Sequence, residues 1–126
     1  MYFTFEALFR IDKADIAIKV IKRDWGEMLK RGSKTCWETF INDEKRWTRS
    51  ICHGWSASPA IYLLSDVLGI KPLEPGFRKF QVKPNTGGLR WVKGSIATPF
   101  GPIYVELIDG NLKVHCPEEC ELLHNI

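Results

Sequence analysis

The sequence predicts an α+β chain, helices first and antiparallel strands last. Two observations predict it. The apolar spacing changes near residue 70 from the helical 3.6 to the strand period of two, and tight-turn residues then recur at short intervals. The 126 residues are 44% hydrophobic and 26% charged, the make-up of a globular chain rather than a disordered one. At this length one domain or two small ones are expected, with a core that needs no disulfides. The division expected is a helical segment over 1–70 and an antiparallel β domain, a meander or partial β-sandwich, over 71–126.

The helical half is read as follows. Phe5, Leu8 and Phe9 mark one helix over 2–10. Ala14, Ala17, Ile18, Ile21, Trp25, Met28 and Leu29 fall at i, i+3, i+4, i+7 and define the buried face of a second. Ile16 and Val20 widen that face, and Asp12 is its expected N-cap, with Asp15 near the positive end of the helix dipole. Residues 2–10 and 13–24 then form a helical hairpin. A third helix starts at Ser56-Ala57-Ser58-Pro59, where proline loses only an N–H that has no helical partner. Its predicted face is Ala60, Ile61, Leu64, Val67 and Leu68, closed by Gly69 as a left-handed cap. Residues 32–55 between these helices are irregular and rich in Gly, Ser, Thr and Trp, a kind of segment that often carries function.

In the second half, Lys71-Pro72-Leu73-Glu74-Pro75-Gly76 reads as a rigid connector. Phe80 and Val82 alternate with polar residues, and Pro84-Asn85-Thr86-Gly87-Gly88 makes a turn. Leu89 and Trp91 open a strand in which Gly94 is an expected bulge before Ile96. Thr98-Pro99-Phe100-Gly101 fits a type I turn. Ile103, Val105 and Leu107 alternate, Asp109-Gly110 is a hairpin turn, and Leu112, Val114 and Cys116 alternate again.

Several function classes are excluded. No apolar run approaches the ~20 residues of a membrane span, so no membrane partner is expected. Met1-Tyr2-Phe3-Thr4 lacks the basic start of a signal peptide, which favours the cytoplasm for the chain as given. The formal charge of +3 is spread among acids rather than clustered, so no nucleic-acid partner is expected. Phosphate-binding glycine loops, Gly-x-Ser-x-Gly elbows and His-Glu-x-x-His motifs do not occur. No cofactor is implied. Cys36, Cys52, Cys116 and Cys120 read as free thiols; His115, Cys116, Cys120 and His124 have loose zinc-like spacing, but strand and turn cysteines are the preferred reading, with no metal.

Chemistry concentrates in the irregular segment, where Trp37 stands beside Glu38 and Trp55 near His53. An indole beside a carboxylate offers a flat apolar platform and a hydrogen-bond acceptor, a combination suited to a sugar. Taken locally, other readings stay open. Glu38 fits a cap or an ion pair, His53 a turn histidine, and Trp25, Trp37, Trp47, Trp55 and Trp91 fit core positions.

A resemblance bears on these alternatives. Trp25-Gly26-Glu27-Met28-Leu29, Gly32, Thr35-Cys36-Trp37-Glu38-Thr39-Phe40 and Cys52-His53-Gly54-Trp55-Ser56-Ala57-Ser58-Pro59 resemble the bacterial α-L-rhamnosidases. So do Leu68-Gly69-Ile70-Lys71-Pro72, Pro75-Gly76-Phe77 and Thr98-Pro99-Phe100-Gly101-Pro102-Ile103, in the same order, over about residues 5–110.

The resemblance implies that the helices end an (α/α)₆ catalytic barrel and that the strands belong to the β-sandwich packed on it. Glu38 would be the general base of an inverting glycosidase, His53 would bind rhamnose hydroxyls, and Trp37 and Trp55 would shape the pocket. The implied partner is a rhamnose-containing carbohydrate, and the remaining barrel or a second copy would cover apolar faces. Two departures stand out. Gly32-Ser33-Lys34-Thr35 brings a cation where the family has Gly-Ala-Thr-Thr, and the family's general acid lies in barrel segments N-terminal to anything here. The expectation is a rhamnosidase-like portion with little activity alone; the alternative is a non-catalytic carbohydrate-binding or interaction module.

Overall fold

The computed structural model describes residues 1–40 and 50–123. The fold is mixed α+β, three helices followed by two small, mostly antiparallel sheets. The chain divides into two compact units, Met1–Ala60 and Ile61–Ile126. Trp47 and His124 lie outside the described residues.

In the first unit, α1 (Tyr2–Arg10) and α2 (Ala14–Lys30) form the expected hairpin. Its turn corrects one expectation. Asp12 is no N-cap: it takes the left-handed conformation (φ 56°) and closes α1 instead. Its N–H bonds Phe9 O at 3.3 Å and the Lys13 N–H bonds Leu8 O at 2.8 Å, the two bonds of a Schellman ending. Aspartate tolerates this conformation better than most residues. Lys13 then occupies the N-cap of α2 with no side-chain capping bond.

The same device ends α2. Gly32 (φ 79°) donates to Leu29 O at 2.9 Å, and the Ser33 N–H to Met28 O at 3.0 Å. Ala14, Ala17, Ile18, Trp25 and Met28 are buried as predicted. Leu29 departs from the predicted face: it is 70% exposed, and Ile16 is exposed as well.

Helix α3 (Ser58–Tyr62) follows a 3₁₀ turn over Gly54–Ala57 and runs into a π turn over Leu63–Val67, where the Leu68 N–H reaches back to Leu63 O at 3.0 Å. These two departures from 3.6 residues per turn rotate the apolar stripe. Ser58, Pro59, Tyr62, Val67 and Leu68 are buried, whereas Ala60 and Ile61 from the predicted face are exposed. Gly69 (φ 75°) closes the segment as expected.

One sheet of the second unit has the order β1-β2-β6, with β1 at Ile70–Pro72, β2 at Lys79–Val82 and β6 at Glu121–Leu122. The supposed connector therefore begins as a strand, pairing Ile70 with Val82 and Pro72 with Phe80. Strand β6 runs parallel to β2, an exception to the predicted all-antiparallel meander. A turn closed by the Cys120 N–H on Pro117 O brings it there, so that Glu121 donates to Arg78 O and Leu123 to Phe80 O.

The other sheet is the predicted antiparallel meander of β3 (Trp91–Thr98), β4 (Gly101–Ile108) and β5 (Asn111–His115). Its register pairs Gly94 with Val105 without interruption, so Gly94 is not a bulge. A Cβ at Gly94 would stand 2.6 Å from Leu68 Cδ1, and close packing explains the glycine. Asp109 and Gly110 both have positive φ between the paired residues Ile108 and Asn111, as a two-residue hairpin loop with the right twist requires. Val67, Leu68, Ile70, Phe80, Val92, Ile103 and Val105 form the buried core of this unit.

Candidate functional site

The site lies in the first unit, where two stretches of irregular chain are tied together by backbone bonds. The Glu38 N–H donates to Ser50 O at 2.9 Å, and the His53 N–H to Cys36 O at 2.8 Å. Thr35 Oγ1 donates to the Ile51 carbonyl. A Ser33 Oγ to Thr35 O bond of 2.6 Å tightens the approach from α2, and Ser50 Oγ holds Cys52 through its carbonyl at 2.8 Å. These bonds set the Trp37-Glu38 stretch beside Ser50–His53.

The side chains there have different surroundings. Trp37 is 8% exposed, and Glu38 is half-buried with its Oε2 accepting the Ser50 N–H at 3.2 Å. The half-buried His53 ring stands edge-on to Trp55, centroids 6.0 Å apart, and Trp55 is 90% exposed. Lys34 is exposed.

Trp25 secures this loop from behind. Its Nε1–H donates to Ser56 O at 2.8 Å, and its ring meets Phe40 at 4.9 Å and Phe5 at 5.7 Å between centroids. The sequence pointed to Trp25 only as a core residue; its indole N–H, which needs an acceptor once buried, was the available signal. Ser50 and Ser56 contribute backbone groups, which no side-chain pattern announces.

A hollow of about 530 Å³ adjoins the loop, lined by Met28, Trp37, Phe40 and two ion pairs, Arg23–Asp24 and Arg31–Glu27. Of the four predicted site residues only Trp37 lines it. Arg23 makes two hydrogen bonds to Asp24, at 2.6 and 2.8 Å, and these hold the Asp24 carboxyl below its usual 3.8 against the opposing effect of burial. Among the described residues no group of three or more His, Cys, Asp or Glu is placed to hold a metal. The four cysteines are free, and burial pushes the Cys116 thiol up, with a further contribution from Cys120. No helix among the described residues is long and apolar enough to cross a membrane.

Residues 69–120, the strand-bearing part, match the family model for the bacterial alpha-L-rhamnosidase C-terminal domain. The crystal structure of a GH78 family rhamnosidase from Bacillus sp. GL1 superposes with a TM-score of 0.82 at 32% identity, over 96% of this chain. Residues 69–120 thus match the C-terminal domain of the bacterial α-L-rhamnosidases, and the chain as a whole is similar to part of one such enzyme. It spans 14% of the length of that rhamnosidase structure. The family model stops short of Glu38 and His53, which precede its first matched residue. No curated protein matches the sequence.

Proposed function

We propose that this chain supplies the base-bearing, sugar-binding portion of an inverting glycoside hydrolase for terminal α-L-rhamnosides. Its residues 1–70 then correspond to the end of an (α/α)₆ catalytic barrel and residues 71–126 to the C-terminal β domain. The observation that supports the site is the backbone tie between Trp37-Glu38 and Ser50–His53, which sets a carboxylate, an imidazole and two indoles in one loop pair. Glu38 takes the proton from a water as its oxygen attacks the anomeric carbon, while a carboxylic acid elsewhere protonates the departing glycosidic oxygen. Inverting enzymes space these carboxyls by about 6.5–9.5 Å to admit the water. His53 hydrogen-bonds sugar hydroxyls, Trp37 walls the pocket and Trp55 offers a ring face.

The acid partner is assigned to barrel segments outside these 126 residues, so the chain alone is expected to turn over little or no aryl α-L-rhamnoside. Calorimetric titration with rhamnose should instead detect weak binding that His53→Ala removes. Turnover by the isolated chain that Glu38→Gln abolishes would overturn the assigned incompleteness. Absence of rhamnose binding by a folded chain would overturn the assignment of His53. The 90% exposure of Trp55 beside His53 favours one second reading, a carbohydrate-binding module that never hydrolyses. Under that reading Trp55→Ala weakens sugar binding and Glu38→Gln changes nothing.

A further inference from the structure

The outward face of the β3-β4-β5 meander is built differently from its core face. Register places three cross-strand rows on it: Trp91 with Ile108, then Lys93 with Glu106 and Lys113, then Ser95 with Tyr104 and His115. Trp91 is 66% exposed and Tyr104 52%. The last two rows line a hollow of about 430 Å³. Lys93 and Glu106 pair across it at 3.1 Å; Lys113, set opposite Glu106 on the edge strand, forms no ion pair of its own among the described residues, so the row keeps one net positive charge. The face therefore carries two open aromatic rings, a row of hydrogen-bonding groups and one unbalanced cation.

Each feature narrows the occupant. A protein-binding core is depleted of charge, yet here an ion pair and a free ammonium occupy the middle row. Nucleic acid calls for clustered cations, and Glu106 cancels one of only two lysines. Exposed aromatic rings flanked by hydroxyl, imidazole and carboxylate groups suit a ligand with flat apolar faces and many hydroxyls. Ile108, the partner of Trp91, lies four residues along β4 from Tyr104, about 13 Å at strand rise. That separation asks for a chain of sugar rings rather than a single one. Lys113 completes the match with a carboxylate.

We infer that this sheet face binds an acidic oligosaccharide, a uronate-bearing glycan chain that lies across Tyr104 toward Trp91 with a carboxylate on Lys113. The inference goes beyond the rhamnoside site, rests on the second unit alone and uses none of the catalytic residues.

The probe is an oligogalacturonate of several units, titrated calorimetrically into the full chain, with a cello-oligosaccharide as its neutral counterpart. Binding should be measurable for the acidic probe, weaken with added salt, and fall about tenfold in Tyr104→Ala, the loss of one stacked aromatic face. Tyr104→Phe should retain most of it. Lys113→Gln, a change at an exposed position, should remove the preference for the acidic over the neutral probe. Saturating rhamnose should displace none of the bound probe. No binding by the folded chain, equal binding of both probes, indifference to Tyr104→Ala, or displacement by rhamnose would each overturn the inference.

Discussion

At the scale of single residues, position in the fold decides what a side chain does. Gly69 was legible in sequence as a helix end, since it follows the last apolar residue of a helical run. Its stricter requirement was not. A Cβ there would lie 2.1 Å from the Lys83 carbonyl carbon, and φ is 75°. Gly69→Ala should therefore cost about 3 kcal/mol, combining left-handed strain with a backbone collision; urea denaturation measures it. Asp24 makes a second prediction. The Arg23 hydrogen bonds lower its carboxyl pKa, so in the unfolded chain the group binds protons more readily than in the folded one. The pair's stabilisation is thus complete above the ordinary value of 3.8 and is lost as the pH falls through the depressed folded value. Denaturation midpoints across the acid range should decline less steeply in Asp24→Asn than in the parent chain.

Glu38 and His53 show the same principle at the site. Their motifs were visible in the residues, but local sequence favoured a cap or ion pair for Glu38 and a turn residue for His53. In the structure the Glu38 carboxylate accepts the Ser50 N–H, and the His53 backbone N–H donates to Cys36 O across the loop. Tethering a carboxylate to the backbone also orients it, so the structural part and the proposed chemical part of Glu38 are compatible.

Among the elements, those with a strong local period were legible and those fixed by distant partners were not. The α1–α2 hairpin and the β3-β4-β5 meander follow from apolar spacing and from Asp109-Gly110, information contained within a few residues. The π turn over Leu63–Val67 leaves no such trace, and it shifts the buried face away from Ala60 and Ile61. Strand β6 is only two residues long, too short to alternate, and its parallel pairing depends on the turn before it. Gly94 belongs with these: the sequence suggested a bulge, and the reason for the glycine is a leucine 26 positions earlier. Gly94→Ala should destabilise the second unit by about 1–3 kcal/mol through overpacking against Leu68. Because the obstruction is a side-chain tip, Leu68→Ala should be less damaging in the Gly94→Ala background than alone, a coupling a double-mutant cycle in urea would resolve.

For the whole molecule, the telling observation is apolar surface on the helical unit. Phe3 is 84% exposed, Leu29 70% and Ile11 64%. Where such side chains join into a contiguous apolar patch, the patch marks a surface that binds something. With the chain spanning 14% of the rhamnosidase structure it resembles, the proposed covering is the remainder of a barrel, or a second copy in its absence. An apolar dye should bind the chain, and sedimentation should show concentration-dependent association. Phe3→Ser combined with Leu29→Ser should reduce both; a chain that remains monomeric and binds no dye would contradict the proposal.

The sequence by itself determined the order of the elements, the change from helix to strand, most of the turns and the family resemblance, because each rests on residues close together in the chain. The tertiary structure decided the parallel strand, the rotated face of α3, the reason for Gly94 and the pairing that brings Glu38 beside Ser50 and His53 beside Cys36. Those depend on backbone groups and packing between distant residues. A carbonyl or an amide is the same in every residue, so composition and spacing leave no record of which one it will meet.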